Sequence, residues 1–315
     1  MRAKTVLTSI ATTAALLVSG APHVLTAAHD RWSEWSLALP VAEVNSPDAA
    51  DGCPIESRDG LSLYIASMRA GGLGGNDLWA ADRASKNEPF GAPKNLGAPV
   101  NTTANDFCPT PIQGSYLLFV SERPGADTCN SGPGRGDIYI VRRNAAFGWG
   151  TPRNLGCVET GTGPNSAGAE FSPSLVTTAE GTFLYFSSTA SGNHDIYRSQ
   201  RRRDGSFAPP EPVRELNTEF DDRMPNVSAD GLEIVFSSNR PVDAEGNPTF
   251  GSFDVFTATR HSVRQRWSEP VNLGPNVNTP GSETRSTLSW DGERLYFGRD
   301  GDIYSSTRTR QRRHQ

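Results

Sequence analysis

The sequence has 315 residues and a formal net charge of −5, and its 31 glycines and 23 prolines argue against long helices. The first 28 residues contain two basic residues and no acidic one, so the remaining chain carries a charge of about −7, which argues against nucleic acid as a partner. Beyond residue 28, no stretch shows helical spacing of apolar residues without interrupting turn residues. We therefore expect an all-β protein.

The N-terminus has the pattern of an export signal. Arg2 and Lys4 precede an apolar run of about a dozen residues, followed by small residues where a signal peptidase can cut, near Ala28 or after Gly20. The run is shorter than the roughly 20 residues that a membrane-spanning helix needs. We predict a signal peptide over 1–28 and an exported product without a membrane span, in the periplasm or the external medium.

A repeating unit follows along the chain. It begins with an acidic residue three positions before a proline, and continues with a turn dipeptide, a strand, an Asp-apolar-aromatic triplet and an aromatic-x-x-Pro segment. The acidic positions are Asp51, Asp106, Glu170, Asp222 and Glu283. The aspartates of the triplets are Asp77, Asp137, Asp195, Asp254 and Asp302.

Each complete unit predicts four strands, because its segments alternate apolar and polar residues or stay apolar throughout. The fifth unit has only three, and residues 31–45 look like its missing fourth strand, since "RWSE" occurs at both 31–34 and 266–269. Four-stranded sheets cannot bury both faces alone, so such units pack in a ring. We predict one five-bladed β-propeller of four-stranded antiparallel blades, closed by residues 31–45, with Trp32 in the slot that Trp267 fills in its own blade.

This organisation makes residues 29–308 a single domain, with a basic, frayed tail at 309–315. The expected blades cover about 46–101, 102–160, 161–217, 218–278, and 279–308 together with 31–45.

The repeat "P-x-x-S-x-D-G-x-x-x-x-F-S-S-N-R-P", with "D-[IV]-[YF]" and "W-x-x-P-x-N-L-G", resembles the WD40-like propeller repeats of bacterial exported proteins, the superfamily that contains TolB. The resemblance covers residues 31 to about 308 and implies a propeller fold. TolB has a six-bladed ring and a second domain, and this sequence shows neither.

The acidic residues that open the units should lie at the mouth of the central channel, one per blade. A carboxylate ring can bind a cation such as Ca²⁺, but we expect these side chains to be structural, capping loop amides or pairing with Arg69, Arg123 or Arg240 after the second strand. Blade three has Ala190 at that position and blade five has Arg299 one position earlier. Glu170 should therefore be the least compensated carboxylate.

The four cysteines, Cys53, Cys108, Cys129 and Cys157, predict two disulfides rather than a metal centre, because the chain is exported and has no CxxC motif. Repeat positions favour Cys53–Cys108 and Cys129–Cys157, although two other pairings remain open. The loops between second and third strands are long in blades one, two and four and short in blade three. This difference predicts a notch above blade three that exposes His194 and could also expose Glu170; the alternative is that the long loops are flexible connectors without a ligand.

The repeats contain no G-x-S-x-G motif, and acids that recur in every blade suggest architecture rather than catalysis. We therefore expect a non-catalytic, monomeric, exported propeller that binds an envelope protein or a glycan through its loop-rich face. One alternative is a carbohydrate-active hydrolase or lyase that uses the channel-mouth carboxylates. Another is an accessory subunit of a TolB-like envelope complex.

Overall fold

The computed structural model describes residues 31–113, 115–125, 128–129, 135–146 and 148–311. The predicted signal peptide and residues 312–315 of the predicted tail lie outside these ranges. The described residues form strands, turns and bends, and none of them forms a helix long and apolar enough to cross a membrane.

Five antiparallel sheets confirm the predicted five-bladed propeller. The chain enters through β1 (Leu39–Pro40) and then builds four blades in sequence. Blade one comprises β2 (Asp51–Glu56), β3 (Ser62–Ser67), β4 (Asp77–Asp82) and β5 (Lys94–Asn95). Blade two comprises β6 (Asp106–Ile112), β7 (Tyr116–Ser121), β8 (Asp137–Asn144), β9 (Gly148–Trp149) and β10 (Arg153–Asn154), where β9 and β10 both pair with β8.

Blade three comprises β11 (Glu170–Thr178), β12 (Gly181–Ser188), β13 (Asp195–Gln200) and β14 (Glu211–Pro212). Blade four comprises β15 (Asp222–Val227), β16 (Glu233–Ser238), β17 (Asp254–Thr259) and β18 (Val271–Asn272). Blade five contains β19 (Glu283–Leu288), β20 (Arg294–Arg299) and β21 (Asp302–Thr307). The innermost strands β2, β6, β11, β15 and β19 each contact the next, and β19 returns to β2.

The N-terminal segment closes the ring, as the sequence predicts. Strand β1 pairs with β21, with Leu39 opposite Ser305 and Pro40 opposite Tyr304, and completes blade five in the sheet order β1-β21-β20-β19. Apolar side chains of neighbouring blades interdigitate in the crevices between them, for example Trp35, Val255 and Phe297 between blades four and five. The outer edge of β21 is therefore covered by a strand from the start of the described chain, and this strand links the two ends of the ring.

The prediction for Trp32 is wrong. In blade four the N–H of Ser268, next to Trp267, donates to the Thr259 carbonyl at 2.7 Å; in blade five the equivalent bond runs from Ser36 to Thr307 at 2.8 Å. Trp35 therefore fills the slot, at 7% exposure. Trp32 lies farther out, beneath the Arg308 guanidinium at 4.4 Å. The prediction aligned the segment on the repeated "RWSE" and was therefore three residues out of register, because the register is set by strand pairing and not by the motif.

Every innermost strand contains a bulge at the residue before the proline or its replacement, where the pairing register shifts. The five residues at this position adopt left-handed φ values, which is unusual for non-glycine residues. They are Cys53 (49°), Cys108 (48°), Ser172 (54°), Met224 (59°) and Arg285 (50°). The bulges direct side chains to the channel axis, where Cys53 bonds to Cys108 and Ser172 donates to the Cys108 sulfur at 3.3 Å.

Candidate functional site

The five predicted channel-mouth carboxylates are the first residues of the five innermost strands, and all are buried, at 0–4% exposure. Each backbone N–H donates to the carbonyl of the residue that precedes the third-strand aspartate in the neighbouring blade. The acceptors of Asp51, Asp106, Glu170, Asp222 and Glu283 are Gly301, Asn76, Gly136, His194 and Phe253, at 2.7–2.8 Å. These bonds fix every carboxylate at a seam between two blades.

Four of the carboxylates form ion pairs with arginines at the end of the second strand. The pairs are Arg69–Asp51 at 2.6 Å, Arg123–Asp106 at 2.8 Å, Arg299–Glu283 at 2.7 Å, and Arg240–Asp222. Each carboxylate also accepts the backbone N–H of a Ser or Thr four or five residues upstream. The oxygens of these four carboxylates are thus already bonded to arginine side chains or backbone amides. The described residues contain no cluster of three or more metal-ligating side chains.

Glu170 lacks such an arginine, because Ala190 occupies the equivalent position. Its carboxylate oxygens accept from Ser166 Oγ at 2.5 Å, Ser166 N at 3.0 Å and Ser188 Oγ at 2.8 Å. Burial raises the pKa of Glu170 to about 7; the serine hydrogen bonds oppose the shift and Asp137 adds to it. Burial also raises the pKa of Glu283, but there Arg299 works against the shift.

The predicted notch does not expose Glu170, whose exposure is 0%. The loop residues above it close over the carboxyl group, and Ser166, which is half-buried, is its link toward the surface. His194 is half-buried rather than open.

A row of five half-buried side chains lies beside the carboxylates, across blades two, three and four; we call it the mouth arc. It comprises Phe107, Phe171, His194, Arg223 and Phe253. Ring centroids are 5.6 Å apart for Phe107–Phe171 and 5.1 Å for Phe171–His194, and the Arg223 guanidinium lies 3.6 Å from the centre of the Phe253 ring. The arc occupies two repeat positions, directly after the carboxylate and directly before the third-strand aspartate.

Two polar atoms of the mouth arc, His194 Nδ1 and Arg223 Nε, are buried and have no hydrogen-bond partner among the described residues. Burial, and next the nearby positive charge of Arg223, lower the pKa of His194, and burial lowers the pKa of Arg223. Asp221 lies beside both and opposes both shifts, and its Oδ1 accepts the backbone N–H of His194 at 2.9 Å. The site therefore combines apolar faces with two polar groups that lack partners.

The cysteines form two disulfides, Cys53–Cys108 and Cys129–Cys157, with Cα atoms 4.8 and 5.4 Å apart. The first joins two innermost strands at their bulges. The second joins Cys129, between β7 and β8, to Cys157, which follows β10.

An asparagine in every blade carries part of this architecture, and our sequence reasoning missed it. Each asparagine side chain bonds both the N–H and the carbonyl of the residue after a third-strand aspartate, at 2.8–3.1 Å. The five are Asn45, Asn101, Asn165, Asn217 and Asn278. An Asn-Ser or Asn-Thr pair shortly before each carboxylate was the available signal.

Solved structures share this fold at low sequence identity. An α-L-arabinofuranosidase from Podospora anserina, solved in complex with cellotriose, has a TM-score of 0.52 at 15% identity over 89% of this chain and 98% of its own. A thermostable family-43 glycoside hydrolase has a TM-score of 0.53 at 13% identity over 86% and 92%. An α-L-arabinofuranosidase from Lactobacillus brevis has a TM-score of 0.51 at 13% identity over 86% and 94%.

A putative TolB from Agrobacterium tumefaciens has a TM-score of 0.44 at 16% identity, over 85% of this chain and 78% of its own, which is too low to carry an argument. No protein-family model and no curated protein matches the sequence.

These neighbours correct the expectation of a non-catalytic binding propeller, and with it the expectation that the protein is not an enzyme. That expectation rested on the repetition of an acid in every blade. Solved proteins with this fold include glycoside hydrolases, so a propeller of this architecture is compatible with catalysis. The likeness itself establishes the fold, and the chemistry has to be argued from the residues of the site.

Proposed function

We propose that the protein is a carbohydrate-active hydrolase whose site lies at the channel mouth, and that Glu170 supplies the proton for the leaving group. One observation carries the proposal: a buried carboxyl group at the mouth has no arginine partner among the described residues and a pKa raised to about 7. A general acid works best when its pKa lies near the working pH, so that it both holds and gives up a proton.

Ser166 is the route by which the proton leaves Glu170. Its hydroxyl lies 2.5 Å from the Glu170 carboxyl and is half-buried, whereas the carboxyl itself is enclosed. In the proposed step the protonated Glu170 carboxyl donates its proton to Ser166 Oγ while the Ser166 hydroxyl donates its own proton to the glycosidic oxygen and the bond to the anomeric carbon breaks. The two transfers are concerted, so the serine stays neutral and Glu170 becomes a carboxylate.

Asp221 fits the role of the base that activates water. It is half-buried, precedes Asp222 of the carboxylate ring and lies next to His194 and Arg223. One oxygen, Oδ1, accepts from the His194 N–H, and Oδ2 has no hydrogen-bond partner among the described residues. Water would add its hydroxyl to the anomeric carbon and give its proton to Oδ2, which balances the reaction.

Two observations support an activity outside the cytoplasm and on glycans. Disulfides between Cys53 and Cys108 and between Cys129 and Cys157 suit an oxidising compartment, either the periplasm or the external medium. The aromatic faces of the mouth arc suit the apolar faces of sugar rings. We also propose that the blades are repeats of the WD40-like type, on the motifs in the sequence.

The proposal is tested by screening the purified protein for release of reducing sugars from a panel of polysaccharides and aryl glycosides. We expect Glu170→Gln, which keeps the shape but carries no proton to donate, to lower kcat by about 100-fold or more. Glu180→Gln is the matched control in the same blade, because Glu180 pairs with the exposed Arg264 rather than lying at the channel mouth. Turnover that survives Glu170→Gln in a folded protein, or no turnover of any panel member, would overturn the proposal.

A further inference from the structure

Arg223 differs from every residue at its repeat position. The residue directly after the channel-mouth carboxylate is Gly52, Phe107, Phe171 or Thr284 in the other blades. A charged side chain therefore occurs once among five equivalent positions, beside the proposed site. Recognition on repeat scaffolds depends on residues that differ between the repeats.

Arg223 forms no ion pair within the described residues. The neighbouring ring arginines each form an ion pair, such as Arg240 with Asp222, and Arg308 pairs with Glu233 at 2.6 Å. No carboxylate among the described residues lies within 4.0 Å of Arg223; Asp221, which is nearby, directs one oxygen to the His194 N–H instead. Partial burial has removed hydration from this guanidinium without an anion replacing it.

The orientation of Arg223 is fixed by Phe253, over which its guanidinium stacks at 3.6 Å. Stacking holds the guanidinium plane. Nε is buried and has no hydrogen-bond partner among the described residues, whereas the side chain as a whole is only half-buried, so an acceptor can approach its exposed part. A carboxylate matches a guanidinium edge through two parallel N–H···O bonds, which makes arginine more selective for it than lysine is. His194 Nδ1, close by, is likewise buried and has no hydrogen-bond partner among the described residues.

We propose that the substrate is an acidic glycan and that Arg223 binds the carboxylate of a uronic acid residue at the channel mouth. This inference rests on the proposed function, from which it takes the location of the site, and it adds the class of substrate. Phe171 and Phe107 would contact the adjoining sugar rings, on the side toward Glu170.

Binding of matched acidic and neutral oligosaccharides tests the inference. Calorimetry on the Glu170→Gln protein compares tetragalacturonate with its methyl ester, and xylotetraose bearing one glucuronic acid with plain xylotetraose. We expect the acidic member of at least one pair to bind tenfold or more tightly. Arg223→Gln should abolish that preference and Arg223→Lys should keep only part of it, because lysine cannot bond in the two-pronged geometry.

Arg264→Gln is the control, since its side chain is 77% exposed and pairs with Glu180 rather than facing the mouth; it should leave the preference intact. Equal binding of both members, no binding of the acidic ones, or a preference that survives Arg223→Gln would overturn the inference. Turnover of a neutral glycan that depends on Glu170 would then leave the hydrolase standing. Arg223-dependent binding without turnover would instead preserve the carboxylate site and remove the hydrolase.

Discussion

Arg285 is the largest fully buried side chain among the described residues, and its guanidinium contacts three other blades at the channel axis. It donates to Thr110 Oγ1 at 3.0 Å and, at 3.4–3.5 Å, to the carbonyls of Pro109, Pro173 and Pro225, which come from three different blades. It has no ion-pair partner among the described residues, and burial lowers its pKa to about 9. The ring thus encloses a cation whose only neutralising contacts are dipoles.

Two substitutions of Arg285 distinguish the stability gained by filling its space from the free energy lost by burying its charge. We expect Arg285→Met to leave the free energy of unfolding at pH 7 unchanged or higher, because it fills the space without a buried charge. Arg285→Ala should lower it by about 2–5 kcal/mol, because it leaves a cavity. Urea denaturation of both variants checks this. If Arg285→Met lowered the free energy of unfolding as much as Arg285→Ala, the hydrogen bonds to the carbonyls would stabilise the protein by more than burial of the charge destabilises it.

Strand β1 is the element on which ring closure depends, although only Leu39 and Pro40 pair directly with β21. The segment around it adds further bonds: Ser36 N to the Thr307 carbonyl, and the Asn45 side chain to the backbone of Ile303. Trp35 contributes the buried apolar surface of the segment. Packing and side-chain hydrogen bonds therefore contribute more to closing the ring than the two-residue pairing of β1 with β21 does.

The register of this segment predicts different roles for its two tryptophans. Trp35→Ala should lower the free energy of unfolding by about 3–5 kcal/mol, since it removes a buried ring. Trp32→Ala should cost only about 1 kcal/mol, because Trp32 is half-buried and contacts mainly the arginines around it. Chemical denaturation of the matched pair decides the register. A larger loss for Trp32→Ala would restore the alignment suggested by "RWSE".

The strands, the ring and the missing arginine of Glu170 could be predicted from the sequence because each repeats, or fails to repeat, at a fixed spacing. The register of residues 31–45 could not, since a four-letter motif competes with backbone pairing that is set by contacts distant in the chain. The axial position of Arg285 and the mouth arc also needed the structure. Both bring together residues of several blades, and only the closed ring defines which of them meet.

The five junctions between neighbouring blades are built alike, and each contains a carboxylate, an asparagine and an apolar crevice. The disulfide Cys53–Cys108 reinforces the seam between blades one and two covalently. The seam between blades five and one is joined differently. There Asp51 N donates to the Gly301 carbonyl, and residues 31–45 supply the outer strand of blade five. Stability of the ring should therefore be most sensitive to loss of that segment.

A variant that begins at Ser46 tests this sensitivity. It loses β1 and Trp35 and leaves an unpaired edge on β21, so we expect a lower Tm and a tendency to associate through that edge. A variant that begins at Arg31 is the control and should keep the Tm and monodispersity of the full chain. Differential scanning calorimetry and light scattering measure both. Equal heat resistance of the two variants would contradict closure by the N-terminal segment.

The protonation of Glu170 is the claim on which the proposed chemistry depends, and a carbon-13 NMR titration of its side-chain carboxyl group measures it directly. The Glu170→Gln protein identifies the signal by its absence. We predict a midpoint near pH 7, because burial without an arginine partner disfavours the charged form. A midpoint near the ordinary glutamate value of about 4.3 would mean that Glu170 is ionised at neutral pH, and the account of the channel mouth as a hydrolase site would be contradicted.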